Sequence, residues 1–211
     1  MEAMSPVDDS MARLLVFLKA PEPGRVKTRL AASVGPEKAC EFYRELVETL
    51  IGRIEAYPRV ELRVAPDEAL VSVADWSRSG WEVLPQGDGS LGDRLARAFR
   101  DAFETALGPV MAIGSDCPEV TLEHLEEAQR SLRTHSVVLG PARDGGYWLI
   151  GLNRWIPELF YEITWSTESV LQETLDRAKQ VGLTVDLLEE LEDVDDWASW
   201  QRYRERAKKL D

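Results

Sequence analysis

The sequence contains only two cysteines and two histidines among its 211 residues. Cys40 and Cys117 lie far apart and match neither a metal-ligand spacing nor a disulfide framework. Two such thiols suit a reducing compartment, so we expect a cytoplasmic protein. His124 and His135 are too few for a histidine-rich zinc site. A bound metal would therefore need oxygen ligands, which favours Mg²⁺ or Mn²⁺.

Positive charge is also scarce, with 25 Lys and Arg against 38 Asp and Glu and a net charge of −13. A chain this acidic is repelled by nucleic-acid phosphates and by anionic membranes, so we expect neither as a main partner. No window approaches the roughly 20 apolar residues that span a membrane. The acidic start lacks the basic and apolar stretches of a signal peptide. We expect residues 1–12 to be a flexible leader and residues 13–211 to form one domain. The sequence does not indicate an oligomeric state.

Short apolar runs alternate with segments of helical periodicity along the chain. Strands are predicted to start near Arg13, Val60, Trp81, Val110, Ser136, Gly146 and Thr184, and helices to cover 36–57, 91–107, a segment from 121, 166–181 and 197–210. This alternation predicts an α/β fold with a doubly wound, mostly parallel sheet and ligands at the carboxyl ends of its strands. Residues 137–152 depart from it, because a short Gly-rich turn joins two strands there. We expect local antiparallel pairing at that point, and hence a mixed sheet.

A basic loop, LKAPEPGRVKTRLA, follows the first predicted strand at residues 18–31. It contains Lys19, Arg25, Lys27 and Arg29 in a chain that is otherwise acidic. Such a loop offers backbone N–H groups and cations to a polyphosphate. It lacks the residue order of a Walker loop. A solvated basic turn is the alternative interpretation.

Carboxylates occupy two positions where a divalent cation is plausible. Asp116 ends the predicted strand in PVMAIGSDCPEV and follows small residues, which leave space for a ligand near the backbone. Asp193 and Asp195 alternate in EDVDDW, and alternate side chains of an extended segment point the same way. Three such carboxylates suit a metal. Helix capping is the alternative, both for Asp116 and for the late segment, where Asp195 or Asp196 would cap the closing helix.

Weaker signals come from two further stretches. Asp144 is followed by Gly145 and Gly146, so a carboxylate lies where backbone can approach a ligand, although a plain hairpin turn has the same sequence. If the acceptor is a hydroxyl, Asp144 is the candidate general base. Ser166 and Thr167 stand at a predicted helix start, where they are candidates for acceptor contacts or simple caps.

A Gly-rich loop, QGDGSLGDRL, leads into the predicted helix that starts at residue 91. Gln86 and Gly92 are its candidate nucleotide contacts. The loop could equally be a flexible connection between a strand and a helix.

Taken together, the motifs FLKAPEPGRVKTRLA, GSDCP, GPARDGGYWLIGL, WST and DVD resemble a bacterial family of GT-A-type transferases. That family was long carried as a domain of unknown function, DUF2064. Its members are often labelled glycosyltransferases, some of them linked to arsenosugar biosynthesis. The resemblance covers residues 13–200 and implies the nucleotide-diphospho-sugar transferase fold. A more distant resemblance extends to 2-phospholactate and molybdenum-cofactor guanylyltransferases.

The resemblance also implies roles for individual residues. It assigns nucleotide phosphates to Arg25, Lys27 and Arg29, the metal to Asp116, Asp193 and Asp195, and the acceptor or sugar to Asp144, Gly145 and Gly146. The chain departs from the family pattern twice. It has Gly89-Ser90-Leu91-Gly92 where relatives often have Gly-Asp-Leu-Gly, and Asp196 where they often have Thr. The first departure removes an acid from the Gly-rich loop.

These observations predict a metal-dependent transferase that uses a nucleotide-activated donor and a small-molecule acceptor. The first candidate is a glycosyltransferase with an NDP-sugar donor. The alternative is a nucleotidylyltransferase that uses an NTP and a phosphorylated small molecule, and a relative that only binds nucleotide is a third possibility. In both reactions the leaving group gains negative charge that a metal and basic side chains must stabilise. The base, the sugar and the acceptor stay open.

Overall fold

A single seven-stranded sheet runs through the part of the chain that the computed structural model describes, residues 11–105 and 107–208. The strands are β1 (Arg13–Lys19), β2 (Val60–Ala65), β3 (Glu82–Pro85), β4 (Val110–Gly114), β5 (Val137–Pro141), β6 (Tyr147–Leu152) and β7 (Val185–Leu187). Their spatial order is β3-β2-β1-β4-β6-β5-β7. All neighbours pair in parallel except β6, which is antiparallel to both β4 and β5. The predicted mixed, mostly parallel sheet is confirmed.

Within the described ranges, six α-helices and two 3-10 helices accompany these strands. They are α1 (Thr28–Val34), α2 (Pro36–Ile54), α3 (Leu91–Thr105), α4 (Leu122–Ser131), α5 (Val170–Gln180) and α6 (Trp197–Ala207), with 3-10 turns at Asp67–Trp76 and Pro157–Phe160. None of the helices in the described ranges has the length and hydropathy that a membrane span requires.

Both faces of the sheet are covered, because alternate residues of each strand enter different hydrophobic clusters. On β1, Leu14 and Val16 pack in the cluster that contains Val47 of α2, whereas Leu15 packs in the cluster that contains Phe99 of α3. All five side chains are completely buried. This two-sided burial is the packing expected of a doubly wound sheet, and it leaves the strand ends as the place for a site.

A third, smaller cluster joins α1, α2 and α6. Phe42 of α2 stacks on Trp200 of α6 with ring centroids 4.0 Å apart. Leu30 of α1 and Val194, which lies just before α6, are fully buried in the same cluster. The cluster therefore fixes the position of α1 relative to α6, whose N-termini lie beside the candidate site described below.

Helices α2 and α3 end two or three residues earlier than predicted, at Ile54 and Thr105, and the differences at α5 and α1 are larger. The helix predicted to begin at Ser166 begins instead at Val170, because Ser166 has a positive φ of 64°. Thr167 there turns its hydroxyl to the carbonyl of Thr164, at 2.6 Å. Helix α1 was not predicted. The residues predicted as a leader lie mostly outside the described range, and within it Ala12 is fully buried.

Candidate functional site

Three segments that are distant in sequence meet at the carboxyl ends of β1 and β4. These strands are adjacent and parallel, and Phe17 pairs with Gly114 in register. The loop after β1 therefore lies beside the loop after β4, which carries Asp116. The segment before α6 joins them, since the N–H of Val194 donates to the carbonyl oxygen of Asp116 at 2.9 Å. The topology thus brings the basic loop, the strand-end aspartate and the late acidic segment to one place.

Lys27 lies at the centre of this meeting point. Its Nζ is 2.7 Å from Oδ1 of Asp116 and 2.9 Å from Oδ1 of Asp195, and only 3% of its side chain is exposed. Because both oxygens contact one nitrogen, they are less than about 6 Å apart. Burial opposes the charge of the ammonium, but the two adjacent carboxylates outweigh it and raise the pKa of Lys27 above its ordinary value. The side chain of Lys27 is therefore positively charged at neutral pH.

Asp193 belongs to the same cluster. Its burial raises the pKa of its carboxyl to about 7, and the charges of Asp116, Asp144 and Asp195 add to the effect while Lys27 opposes it. Asp144 is exposed, and its Oδ1 accepts a hydrogen bond from the N–H of Gly146 at 2.9 Å. The charges of Asp116, Asp144 and Asp195 thus act on the ionisation of Asp193. The ammonium of Lys27 lies between two of these carboxylates.

The structure brings the predicted metal ligands together, but the ammonium group of Lys27 lies between two of them. Among the described residues there is no group of three or more His, Cys, Asp or Glu side chains arranged to hold a metal ion. At the predicted position the nitrogen of Lys27 contacts Asp116 and Asp195 directly. The donors themselves are carboxylates, which are the ligands that Mg²⁺ and Mn²⁺ prefer. The donor chemistry therefore fits a divalent cation, provided that Lys27 moves.

A network of arginines holds the late acidic segment in place. Arg206 of α6 donates two hydrogen bonds to Glu119, both at 2.9 Å, and a third to Glu192 at 2.8 Å. Arg202 also donates to Glu192, at 2.8 Å. Asp196 caps α6 by accepting from the N–H of Ser199 at 2.8 Å. Of the two capping alternatives for this segment Asp196 is therefore the cap, which leaves Asp193 and Asp195 for the cluster.

A polar cleft of about 360 Å³ opens next to the cluster, at the ends of β1 and β2. Lys19, Arg25 and Arg94 contribute its positive charges. Arg25 is exposed and pairs with Glu22 at 3.1 Å, and Arg29 is exposed on α1. The cleft is also lined by acidic side chains, namely Glu22, Asp67, Glu68 and Asp88. Three of the four basic residues that the sequence singled out thus lie at the cleft or in the cluster.

Gln86 and Gly92 have structural partners in this arrangement. The amide of Gln86 is buried and donates to the carbonyls of Leu18 and Arg63, both at 2.9 Å, while its oxygen accepts from Arg94 at 3.0 Å. Gly92 lies against the indole of Trp165, and an added Cβ would overlap that ring. Neither residue lines the cleft. Direct contact of these two residues with nucleotide stays a prediction.

Two residues of the site were missed by the sequence reasoning. Arg94 lines the cleft and binds Gln86, and its position one turn into α3 gave no signal. The Tyr43 hydroxyl accepts a hydrogen bond from the N–H of Lys19 at 2.8 Å and lies 3.2 Å from the hydroxyl of Ser115. It thereby ties the end of β1 to the end of β4. The helical periodicity of α2 placed Tyr43 only in the core.

The DGG turn packs against the segment that precedes α5. Gly145 has a φ of 88°, and an added Cβ would overlap the carbonyl of Glu168. Its own carbonyl accepts from the N–H of Leu171 at 2.9 Å. Ser166 and Thr167 are exposed at this junction, and neither caps α5, whose N-cap position is Ser169. The turn and the WST segment thus form one wall beside the acidic cluster.

Comparison with known proteins agrees with this geometry. A protein from Desulfovibrio desulfuricans G20, classed provisionally as a nucleotide-diphospho-sugar transferase, is 31% identical, with 88% of this chain and 82% of the other covered at a TM-score of 0.82. The chain therefore has the nucleotide-diphospho-sugar transferase fold. The family described as "Uncharacterized protein conserved in bacteria (DUF2064)" matches residues 51–167. The chain belongs to this family, as its motifs predicted.

More distant structures share the fold alone. CMP:2-keto-3-deoxy-manno-octonic acid synthetase complexed with CTP is 11% identical, with 95% of this chain and 100% of the other covered at a TM-score of 0.60. Rv0371c of Mycobacterium tuberculosis H37Rv, solved in complex with manganese, is 16% identical, with 91% and 97% covered at a TM-score of 0.55. No curated protein matches the sequence. The similarity to the Desulfovibrio protein supports the predicted enzyme class, a transferase.

Proposed function

We propose that this protein is a metal-dependent transferase that moves a sugar from an NDP-sugar to a small acceptor. The observation that carries the proposal is the convergence of Lys27, Asp116, Asp193 and Asp195 next to a cleft with basic side chains. A nucleoside diphosphate and a divalent cation carry the charges that such a site would balance. The 31% identity to a provisional nucleotide-diphospho-sugar transferase favours a sugar donor.

The site residues divide into those that hold the donor and those that face the acceptor. In this proposal Lys19, Arg25 and Arg29 bind the donor phosphates, joined by Lys27 and by Arg94 at the cleft wall. Charge-assisted contacts of this kind are worth about 1.5–3 kcal/mol each. Mg²⁺ or Mn²⁺ would be held by Asp116, Asp193 and Asp195. When bound, the cation would neutralise charge that develops on the leaving diphosphate.

The acceptor is assigned to the wall formed by the DGG turn and the WST segment. Asp144 is exposed there and is the candidate to accept a proton from an acceptor hydroxyl. Gly145, Gly146, Ser166 and Thr167 provide backbone and hydroxyl groups along the same wall. The reaction is placed in the cytoplasm as part of this proposal, because Cys40 and Cys117 are both free and buried.

A nucleotidylyltransferase is the second candidate. The specific observation in its favour is that a CTP-bound synthetase shares the fold over 95% of this chain. The same cluster would then neutralise a leaving pyrophosphate, and the acceptor would be a phosphorylated small molecule. An acceptor phosphate is already ionised and needs no strong base, so this reaction would not require Asp144.

A thermal-shift screen tests the proposal, using NTPs and NDP-sugars with and without Mg²⁺ or Mn²⁺. Ligand binding to the folded state raises the Tm. Stabilisation by NDP-sugars but not by NTPs supports the first candidate, and stabilisation by NTPs but not by NDP-sugars supports the second. The reaction products also distinguish the two candidate functions, because sugar transfer releases a nucleoside diphosphate and nucleotidyl transfer releases pyrophosphate. If no nucleotide shifts the Tm under any condition, both candidates are wrong.

Paired variants locate the binding site. Arg25→Met removes a cation of the cleft, so it should weaken nucleotide binding about tenfold. Lys38→Met removes an exposed cation on α2 that contacts Glu41, and it should leave binding unchanged. Equal nucleotide affinities in the two variants would exclude the cleft as the phosphate site.

A further inference from the structure

The position of Lys27 conflicts with that of a metal ion. Its Nζ lies 2.7 and 2.9 Å from one oxygen each of Asp116 and Asp195. A bound Mg²⁺ or Mn²⁺ would need these carboxylates at about 2.0–2.6 Å. An ammonium and a divalent cation this close to the same oxygens would exclude each other. Metal entry therefore requires the side chain of Lys27 to leave.

We infer that Lys27 is a resident cation that holds the acidic cluster together and is displaced towards the donor phosphates when the divalent cation enters. The inference rests on the proposed function, since it assigns the displaced ammonium a phosphate ligand. It makes metal binding and donor binding interdependent. The metal ion replaces the Lys27 ammonium at the carboxylates, and the donor phosphates then bind the displaced ammonium.

The surroundings of Lys27 allow such a movement. Asp116 and Asp195 have side chains that are 45% and 40% exposed, so solvent and ions reach them. The lysine side chain has four flexible bonds. Arg25, two residues earlier in the same loop, already lines the cleft. One short segment of the loop thus contributes Arg25 to the cleft and Lys27 to the carboxylates.

Charge explains why a cation must be present in both states. Asp116 and Asp195 carry like charges less than about 6 Å apart, so they repel one another. Lys27 supplies one positive charge to this cluster, whereas a divalent cation supplies two. Removing Lys27 should therefore open the carboxylates to a metal ion and strengthen their attraction for it.

Mn²⁺ binding in the absence of nucleotide tests the inference. Free Mn²⁺ is measured by electron paramagnetic resonance during titration of wild type, Lys27→Met and Lys38→Met. We expect Lys27→Met to bind Mn²⁺ at least about tenfold more tightly than wild type. Lys38→Met, with the same charge change on exposed α2, should bind like wild type. Mn²⁺ affinity in folded Lys27→Met that equals or falls below that of wild type would overturn the inference.

A second measurement on the wild-type protein covers the case in which Lys27→Met does not fold. Acetylation of individual lysines is followed by mass spectrometry with and without Mn²⁺. Lys27 is buried and ion-paired, so it should react slowly until Mn²⁺ releases it, while Lys38 should react equally in both conditions. Unchanged acetylation of Lys27 when Mn²⁺ is bound would overturn the inference.

The two proposals fail in different ways. If the proposed function is wrong, no nucleotide or NDP-sugar binds in the thermal-shift screen, whatever Mn²⁺ does in these titrations. If only the present inference is wrong, nucleotide and Mn²⁺ bind together, but removal of Lys27 does not tighten Mn²⁺ binding.

Discussion

Asp193 is the residue whose ionisation should be most visible in the stability of the protein. Its folded-state pKa is raised to about 7 from an ordinary value of 3.8. A group of this kind stabilises the fold while it is protonated, below about pH 4, and that contribution is lost as the pH rises through 7. In the variant Asp193→Asn the side chain at this position is uncharged at every pH. We therefore expect this variant to melt a few degrees above wild type at pH 8, with a smaller difference at pH 5.

Thermal unfolding without divalent cations at the two pH values measures this difference. Asp75→Asn changes an exposed carboxylate on the 3-10 helix and serves as the control. A Tm difference between Asp193→Asn and wild type that is the same at pH 5 and pH 8 would contradict the assignment.

Gly145 and Gly146 are neighbours with different steric freedom. Gly145 combines a positive φ with a backbone carbonyl in the position of a Cβ, whereas a Cβ on Gly146 would meet the side chain of Asp144 at 3.1 Å. Gly145→Ala should lower the free energy of unfolding by about 1–3 kcal/mol. Gly146→Ala should lower it by less, because a side chain can move. Urea unfolding of both variants measures the difference, and equal losses would show that the turn is not constrained at Gly145.

At the scale of elements, α6 positions the late acidic segment through Arg206. The guanidinium joins Glu119, which follows β4, to Glu192, which precedes Asp193. Arg206→Gln should therefore loosen the segment and speed hydrogen exchange at the N–H of Val194, which bonds to Asp116. It should also weaken nucleotide binding about threefold to tenfold while the fold persists.

Arg204→Gln is the matched control, since Arg204 lies on the same helix and pairs instead with Glu45 of α2. Its exchange at Val194 should match that of wild type. If Arg206→Gln changes the Tm but not this exchange, the arginine only stabilises the helix and does not position the segment.

The predicted elements were correct where local pattern and burial agree. The strand β4 and the helix α2 have continuous apolar or helical patterns, and both are present. Helix α1 was missed for two reasons. The loop before it is rich in proline and glycine, and its seven residues are too few to show a helical pattern of apolar positions. The predicted start of α5 was wrong because the hydroxyl of Thr167 donates to the carbonyl of Thr164, and this local hydrogen bond competes with the helix.

At the scale of the whole molecule, the sequence indicated which carboxylates could meet but not what lies between them. Strand β7 lies at the edge of the sheet, three positions from β4, so the segment after β7 must reach Asp116 itself. Its Leu191 N–H donates to the carbonyl of Pro141 at the end of β5, and its Val194 N–H donates to the carbonyl of Asp116. The contact between Lys27 and Asp195 joins residues 168 positions apart. No local pattern specifies such a contact. It depends on how α2 and α6 pack through Phe42 and Trp200, with Leu30 of α1 in the same cluster.

The last prediction concerns the coupling of these distant segments. Asp116 follows β4 and Asp195 precedes α6, yet both contact Lys27 and both are assigned to one cation. Asp116→Asn and Asp195→Asn should each abolish turnover, since either loss removes a charged ligand. Both side chains are partly exposed, so the folded state should survive in each variant, as circular dichroism would show.

The double variant should bind Mn²⁺ hardly less tightly than either single variant, because the first substitution already disables the shared site. Titration of Mn²⁺ into wild type, both single variants and the double variant measures the coupling energy without relying on activity. Ser199→Ala, which removes a hydroxyl that accepts a hydrogen bond from the N–H of Asp195, is a control for disturbance of the segment. Strictly additive losses in the double variant would mean that Asp116 and Asp195 act on separate ligands and that no single cation joins β4 to α6.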